Sequence, residues 1–321
     1  MVLSLVLRSG LSAVSSAADD VATRRVVPVN VLDKTSTNVR GLTASSFRVR
    51  LGGKLVEVLA AGIDTTPRQI ALVIDSSASM GEHSATADAW SVPQSLIAAV
   101  TPAHNVALLE LREKLELRAN LGNDPVTLRA AIDEARKRAP QGPTAVYDAI
   151  VTLSRTHQGA GFPDVIYLIR DCEDTASAET AEWAIEAAAR SGLRVFVCRP
   201  ARPTVARRLG SAYAQEWAAR IAEVTGGAVL EAGRLTEKEI ARSVHLIGDV
   251  YRVELLMPRP ADKPRDLKIE ALGPDGARLA KVRLLYPQVL APTPSPSPPG
   301  QKPESGAQLA SSLLSYSFRN E

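Results

Sequence analysis

The segment Gln69-Ile-Ala-Leu-Val-Ile-Asp75 is an apolar run that stops at a carboxylate, and Ser76-Ser77-Ala78-Ser79-Met80-Gly81 follows at once. Such a run fits a strand buried on both faces, which calls for a mostly parallel sheet covered by helices above and below. Asp75 then stands at the carboxyl end of its strand, and the alternate hydroxyls of Ser77 and Ser79 turn toward the same point above the sheet. Oxygen donors of this kind suit Mg²⁺, which keeps several waters and takes few protein ligands.

Two later segments supply further oxygens. Gly142-Pro143-Thr144-Ala-Val-Tyr-Asp148 sets the hydroxyl of Thr144 at the start of a helix, after a turn rich in Gly and Pro. Val165-Ile-Tyr-Leu-Ile-Arg170-Asp171-Cys172-Glu173-Asp174-Thr175 is a second buried strand that ends in acid. With these residues in this order the chain resembles the von Willebrand factor A-type (vWA) domain, whose metal-ion-dependent adhesion site pairs Asp-x-Ser-x-Ser with a distant Thr and a distant Asp. The resemblance implies that Asp75, Ser77, Ser79, Thr144 and Asp171 hold the metal. It implies Mg²⁺ as the ion, with Mn²⁺ or Ca²⁺ as substitutes, and a Glu or Asp of a partner protein completing the octahedron. The implied function is adhesion or scaffolding without catalysis. A bland reading stands beside it, in which Ser77 and Ser79 cap the next helix and Asp171 ends its strand in a solvated turn.

One stretch departs from the family pattern. Relatives usually read Thr-Asp-Gly-Glu-Asp where this chain reads Arg170-Asp171-Cys172-Glu173-Asp174. Strand alternation is expected to send the Arg170 side chain away from the metal point. A long guanidinium can still curl back onto Glu173, Asp174 or the ligand carboxylates and compete with the cation.

From Asp75 to about Asp249 strands and helices alternate. Asn105–Leu111 and Lys114–Arg118 read as a strand pair. Asp124 caps a helix whose first turn holds Pro125 and whose buried face carries Leu128, Ile132 and Ala135. Leu209, Tyr213, Trp217 and Ile221 step by four and are expected in the core. Thr236 and Glu239 form a capping box. Outside this block the period changes to two, in Val26–Val31, Phe47–Leu51, Leu55–Leu59, Val253–Leu256, Leu267–Ala271 and Val282–Leu285, with Gly52-Gly53 and Gly273–Gly276 as turns. The expected architecture is a Rossmann-like, doubly wound vWA domain over 68–248, inserted in a small β-sandwich-like domain made of 24–62 and 249–287. Residues 1–23 are a signal remnant or unstructured, and 288–321 a Pro/Ser-rich linker and tail. The resemblance, to a bacterial branch with flanking β-segments, covers about 24 to 287.

Composition narrows the function. The 321 residues are 45% hydrophobic but only 4% aromatic, and the formal charge of +3 arises from interspersed Lys, Arg, Asp and Glu, which does not point to nucleic acid. The basic clusters Arg136-Lys137-Arg138 and Arg207-Arg208 read as solvated helix faces. No apolar run is long enough for a transmembrane helix. The first twenty residues resemble the second half of a signal peptide, small residues before Asp19-Asp20, which suggests a secreted or cell-envelope protein; a cytoplasmic one is the alternative. Cys172 and Cys198 both end strands and are expected near each other. Ser77-Ala-Ser79-Met-Gly81 is one substitution from a nucleophile elbow, and Ser79, Asp171 and His245 run in hydrolase order. That remote alternative is disfavoured by Ser77, which stands where the strained turn wants glycine. A metal-free vWA interaction module is the third reading.

Overall fold

The computed structural model describes residues 23–81, 86–100, 103–122, 124–160, 163–170, 173–199, 210–231, 237–257 and 263–292. Asp171, Cys172, Arg207, Arg208, Leu209, Thr236, the side chain of Glu239 and both chain ends lie outside the described residues. The chain opens with strands β1 (Thr23–Leu32), β2 (Phe47–Leu51) and β3 (Lys54–Asp64). An alternating block follows: β4 (Gln69–Asp75), α1 (Ala78–Gly81), α2 (Thr86–Val100), β5 (Asn105–Leu111), β6 (Leu115–Gly122), α3 (Pro125–Lys137), α4 (Val146–Ala160), β7 (Val165–Ile169), α5 (Ala181–Ser191), β8 (Arg194–Arg199), α6 (Gly210–Thr225), β9 (Val229–Glu231) and α7 (Glu237–Gly248). Strands β10 (Val250–Met257), β11 (Arg265–Ala271), β12 (Arg283–Leu285) and β13 (Val289–Leu290) close it.

The block builds a six-stranded sheet of order β6-β5-β4-β7-β8-β9, parallel except for the edge strand β6. Alternate residues of β4 explain the two layers. Ile70, Leu72 and Ile74 point into a core shared with α2, α3 and α7, while Ala71 and Val73 point into one shared with α4, α5 and α6. This is the doubly wound α/β arrangement expected from the continuous apolar strands. Asp124 accepts from the backbone N–H groups of Val126 and Thr127, and Leu128, Ile132 and Ala135 are buried behind it. Tyr213 departs from expectation. It is 53% exposed and donates its hydroxyl to Glu182 at 3.4 Å, because it precedes the buried face that Trp217 and Ile221 carry one and two turns later.

The strands before and after the block meet in one seven-stranded sheet of order β12-β1-β10-β3-β2-β11-β13. Strand β1 pairs antiparallel with β10, Val27 opposite Val253, and β2 pairs with β11, Val49 opposite Ile269. The expected sandwich of two sheets is therefore replaced by a single antiparallel sheet. Strand β11 stands five places from β12 in this order yet lies against it, which only a curled sheet permits at about 4.8 Å per strand. Curling gives the short strands one enclosed core without a second layer. The segment expected to begin a linker at 288 instead supplies β13, whose Leu290 is buried and whose following residue, Ala291, accepts from Arg25 through its main-chain oxygen.

The two sheets are tied together by polar contacts at the amino edge of the parallel sheet. Arg194, at the start of β8, is fully buried and donates to the main-chain oxygens of Gly226 and Leu246 and, at 2.6 Å, to Asn30 of β1. Its burial lowers the guanidinium pKa to about 9. The candidate site lies at the opposite, carboxyl edge, away from these contacts.

Candidate metal centre

Asp75 ends β4 on the face of Ala71 and Val73, toward α4, and is 1% exposed. Its Oδ1 accepts from the backbone N–H of Ser77 at 2.9 Å and from the hydroxyl of Thr144 at 3.1 Å. Ser77 and Ser79 face one another, hydroxyl to hydroxyl, at 3.1 Å. Thr144 and Ser77 are 1% and 2% exposed. The structure thus brings together four of the five sequence-predicted ligands, Asp75, Ser77, Ser79 and Thr144; Asp171 lies outside the described residues.

Main-chain bonds fix the turn that carries these oxygens. Ser76 donates its N–H to Leu111 at the end of β5, Ala78 donates to Gly142, and Gln141 donates to Ser76. Ala145, next to Thr144, donates to Arg112. Gly142 has φ of 76°, a left-handed conformation that costs glycine little, and this lets the loop turn back over Ser76 before Thr144. The loop after β4 and the loop before α4 hold each other.

Several residues of this framework were not predicted from sequence. The Asp174 carboxylate accepts from the N–H groups of Val146 and Tyr147, at 2.7 and 3.2 Å, and so caps α4 from a distant loop. Thr175 accepts the N–H of Thr144 with its hydroxyl, and Ser177 bonds both Asp174 and the start of α4. A cap that comes from outside the helix leaves no Ser/Thr/Asp signature at its own N-terminus. Glu110 did have a signal, as the one charge in an otherwise apolar strand. It is 2% exposed and accepts the Ser76 hydroxyl at 2.6 Å. Burial alone would raise its pKa, but the bond from Ser76 and the guanidiniums of Arg118 and Arg112 outweigh burial and hold it below the usual carboxylate range.

Arg170 is fully buried. The β4–β7 ladder ends with Ile74 opposite Ile169, so one further step sets Arg170 beside Asp75. Ile166 and Leu168 share the α4–α6 face with Ala71 and Val73, so alternation keeps Arg170 on Asp75's face, contrary to the expectation that it would turn away. Its guanidinium lies over the Trp217 ring, 5.8 Å from the centroid, and donates to the main-chain oxygen of Glu173.

The donor set is one a hard cation accepts. Cis oxygens of an octahedral Mg²⁺ at about 2.0–2.1 Å stand about 2.9 Å apart, and the Ser77–Ser79 and Asp75–Thr144 oxygen pairs are each 3.1 Å apart. No group of three or more His, Cys, Asp or Glu side chains suited to a metal occurs among the described residues; the oxygens they bring here are the Asp75 carboxylate and the hydroxyls of Ser77, Ser79 and Thr144. His245 does not join Ser79. It is exposed in the last turn of α7, which ends beside His104 at the amino edge.

The sequence matches no family model and no curated protein sequence. Solved structures do align. An aerotolerance-related membrane protein from Bacteroides fragilis is 16% identical over 56% of this chain and 98% of its own, with a TM-score of 0.44. Proximal thread matrix protein 1 from the mussel byssus, with a zinc-occupied MIDAS motif, is 15% identical over 60% of this chain and 49% of its own, with a TM-score of 0.45. The manganese-loaded TRAP protein of Plasmodium vivax is 12% identical over 70% of this chain and 95% of its own, with a TM-score of 0.43.

Proposed function

We propose that this chain is a vWA-type recognition module that binds a divalent cation, Mg²⁺ first, and through it an acidic side chain of a partner protein, without chemical turnover. The observation that carries this reading is the hydrogen bond from Thr144 to Asp75 at the carboxyl end of β4, with Ser77 and Ser79 in the same turn. Asp75, Ser77, Ser79 and Thr144 would hold the ion, with Asp171 as fifth ligand. When bound, the ion supplies an electrophilic position for a carboxylate. The protein's own part is to keep three neutral hydroxyls and few carboxylates there, so that the cation's charge is not fully cancelled and an incoming Glu or Asp is still attracted. Positions at the carboxyl edge of an open α/β sheet are where such ligands reach the fold. A secreted or cell-envelope setting, where adhesive partners are met, agrees with the character of the first twenty residues; no described helix is long and apolar enough to cross a membrane.

Titration calorimetry tests the reading. Wild type is expected to bind Mg²⁺ and Mn²⁺, Asp75→Ala to bind neither, and Ser79→Ala to bind more weakly. Equal heats for wild type and Asp75→Ala would refute the metal centre and leave the metal-free module.

A further inference from the structure

We infer that Arg112, Arg118 and Arg138 form an anion-recognition surface beside the metal point, built to take a second carboxylate of an acidic partner segment. The inference rests on the metal-centre reading for its partner class, but on separate residues for its own contact.

The three guanidiniums come from different elements and converge on one buried acid. Arg118, in β6, donates from Nε to Glu110 Oε2 at 2.6 Å; Arg112, just after β5, has Nη2 2.8 Å from Glu110 Oε1; Arg138, just after α3, reaches Glu110 Oε2 at 3.5 Å. Glu116 takes the outer side of Arg118. Three cations thus meet one buried carboxylate and one exposed one, and Arg138 is served only by the longest of these contacts. Its Nε is buried and has no hydrogen-bond acceptor among the described residues. The rest of the Arg138 side chain is open to solvent, so an incoming oxyanion can meet the exposed side of the guanidinium with charge-assisted hydrogen bonds.

Position ties this surface to the metal point. Arg112 donates from Nε to the Ser76 hydroxyl at 3.0 Å, and its carbonyl accepts from Ala145. Ser76 separates Asp75 from Ser77, and Ala145 follows Thr144. Arg112 therefore borders the metal turn, while Glu110, which alternates with Val106 and Leu108, gathers the three arginines on the α2–α3 side of the sheet, across the end of β4 from the α4 side that carries Asp75. All three side chains are partly open, at 21%, 23% and 39% exposure. A segment laid across the sheet edge can put one carboxylate on the ion and a later one against Arg112 and Arg138. The Arg136-Lys137-Arg138 cluster is accordingly split: Lys137 pairs with Glu134 on the helix surface, while Arg138 turns to the site.

A hexaglutamate peptide serves as the probe, with the full chain and saturating Mg²⁺. Arg138→Gln is expected to weaken peptide binding by up to about fivefold, to flatten its salt dependence, and to leave Mg²⁺ affinity and melting temperature near wild type; Arg112→Gln with Arg138→Gln should weaken peptide binding further and, because Arg112 also holds Glu110 and Ser76, lower the melting temperature. Arg138→Lys should recover part of the loss. Arg190→Gln, the same charge change on the far end of α5, should have no effect. Unchanged peptide affinity in the arginine variants, or no peptide binding by wild type, overturns the surface. If Asp75→Ala loses Mg²⁺ yet still binds peptide in an arginine-dependent way, the surface stands on its own. If Asp75→Ala binds Mg²⁺ and peptide as wild type does while the arginine variants fail, the metal reading falls and the anion surface survives.

Discussion

Thr144 donates its hydroxyl to Asp75 across 3.1 Å, although 69 residues separate them in the chain. The contact joins the end of β4 to the start of α4. Thr144→Val keeps the shape and removes the donor, leaving a buried carboxylate one bond poorer. Stability of the metal-free protein should fall by about 1 kcal/mol, and the Mg²⁺-dependent rise in melting temperature expected of wild type should be absent. An unchanged Mg²⁺-dependent shift would mean that Thr144 orders the loop without meeting the ion.

Arg170 brings a fixed positive charge to the same face as Asp75. A cation on that side would oppose a bound Mg²⁺, so Arg170→Thr is expected to tighten Mg²⁺ binding while lowering stability, since the packing over Trp217 is lost. Calorimetry and thermal melts on the one variant separate the two effects. Equal Mg²⁺ affinity would show that the contacts to Trp217 and Glu173 hold the guanidinium's field away from the site.

The parts of this structure that were legible in the sequence are those that local pattern dictates. Continuous apolar strands announced the parallel sheet, and Asp124-Pro125 announced the start of α3. The Asp-x-Ser-x-Ser turn and Thr144 were read as one site, and the structure sets them side by side. What escaped depends on contacts between distant segments. The pairing of β1 with β10 leaves no trace in either strand's alternation, so one curled sheet and a two-layered sandwich read alike. Asp174 caps a helix that starts 28 residues earlier. Arg170 was placed on the wrong face because alternation was counted from Asp171 instead of from Leu168, whose face is fixed by its neighbours.

Acid should loosen the amino edge before it reaches the carboxylates. His104 is buried, and its Nδ1 accepts the N–H of Arg68 at 3.1 Å. Burial, with the Arg68 charge, lowers its pKa below the usual 6.5. A depressed histidine is neutral in the fold while the unfolded chain takes up the proton first, so its contribution is complete above the ordinary value and declines as pH falls toward the folded one. Denaturant melts from about pH 7 to about pH 5 should show that decline in wild type and less of it in His104→Asn, whose amide oxygen still accepts but does not titrate in this range. Equal pH slopes for the two proteins would remove His104 from the account.

The last prediction tests whether the two sheets depend on each other. Gly226, at the end of α6, has φ of 74°, and a Cβ placed there would lie 2.4 Å from the carbonyl carbon of Tyr286 and 2.5 Å from the nitrogen of Pro287. These are backbone atoms of the segment between β12 and β13, so no side-chain rotation relieves the clash. Gly226 also accepts Arg194 through its main-chain oxygen, and Gln288 donates to Val224 nearby. Gly226→Ala must therefore push the β12–β13 segment off α6, at a cost of about 1–3 kcal/mol for overpacking with the unfavourable φ in addition. Limited proteolysis should then cut near Tyr286 in the variant sooner than in wild type, and β13, which adds only two residues to the sheet, should be the first strand to lose amide protection. A variant as stable and as protected as wild type would show that α6 and the seven-stranded sheet do not rely on this contact.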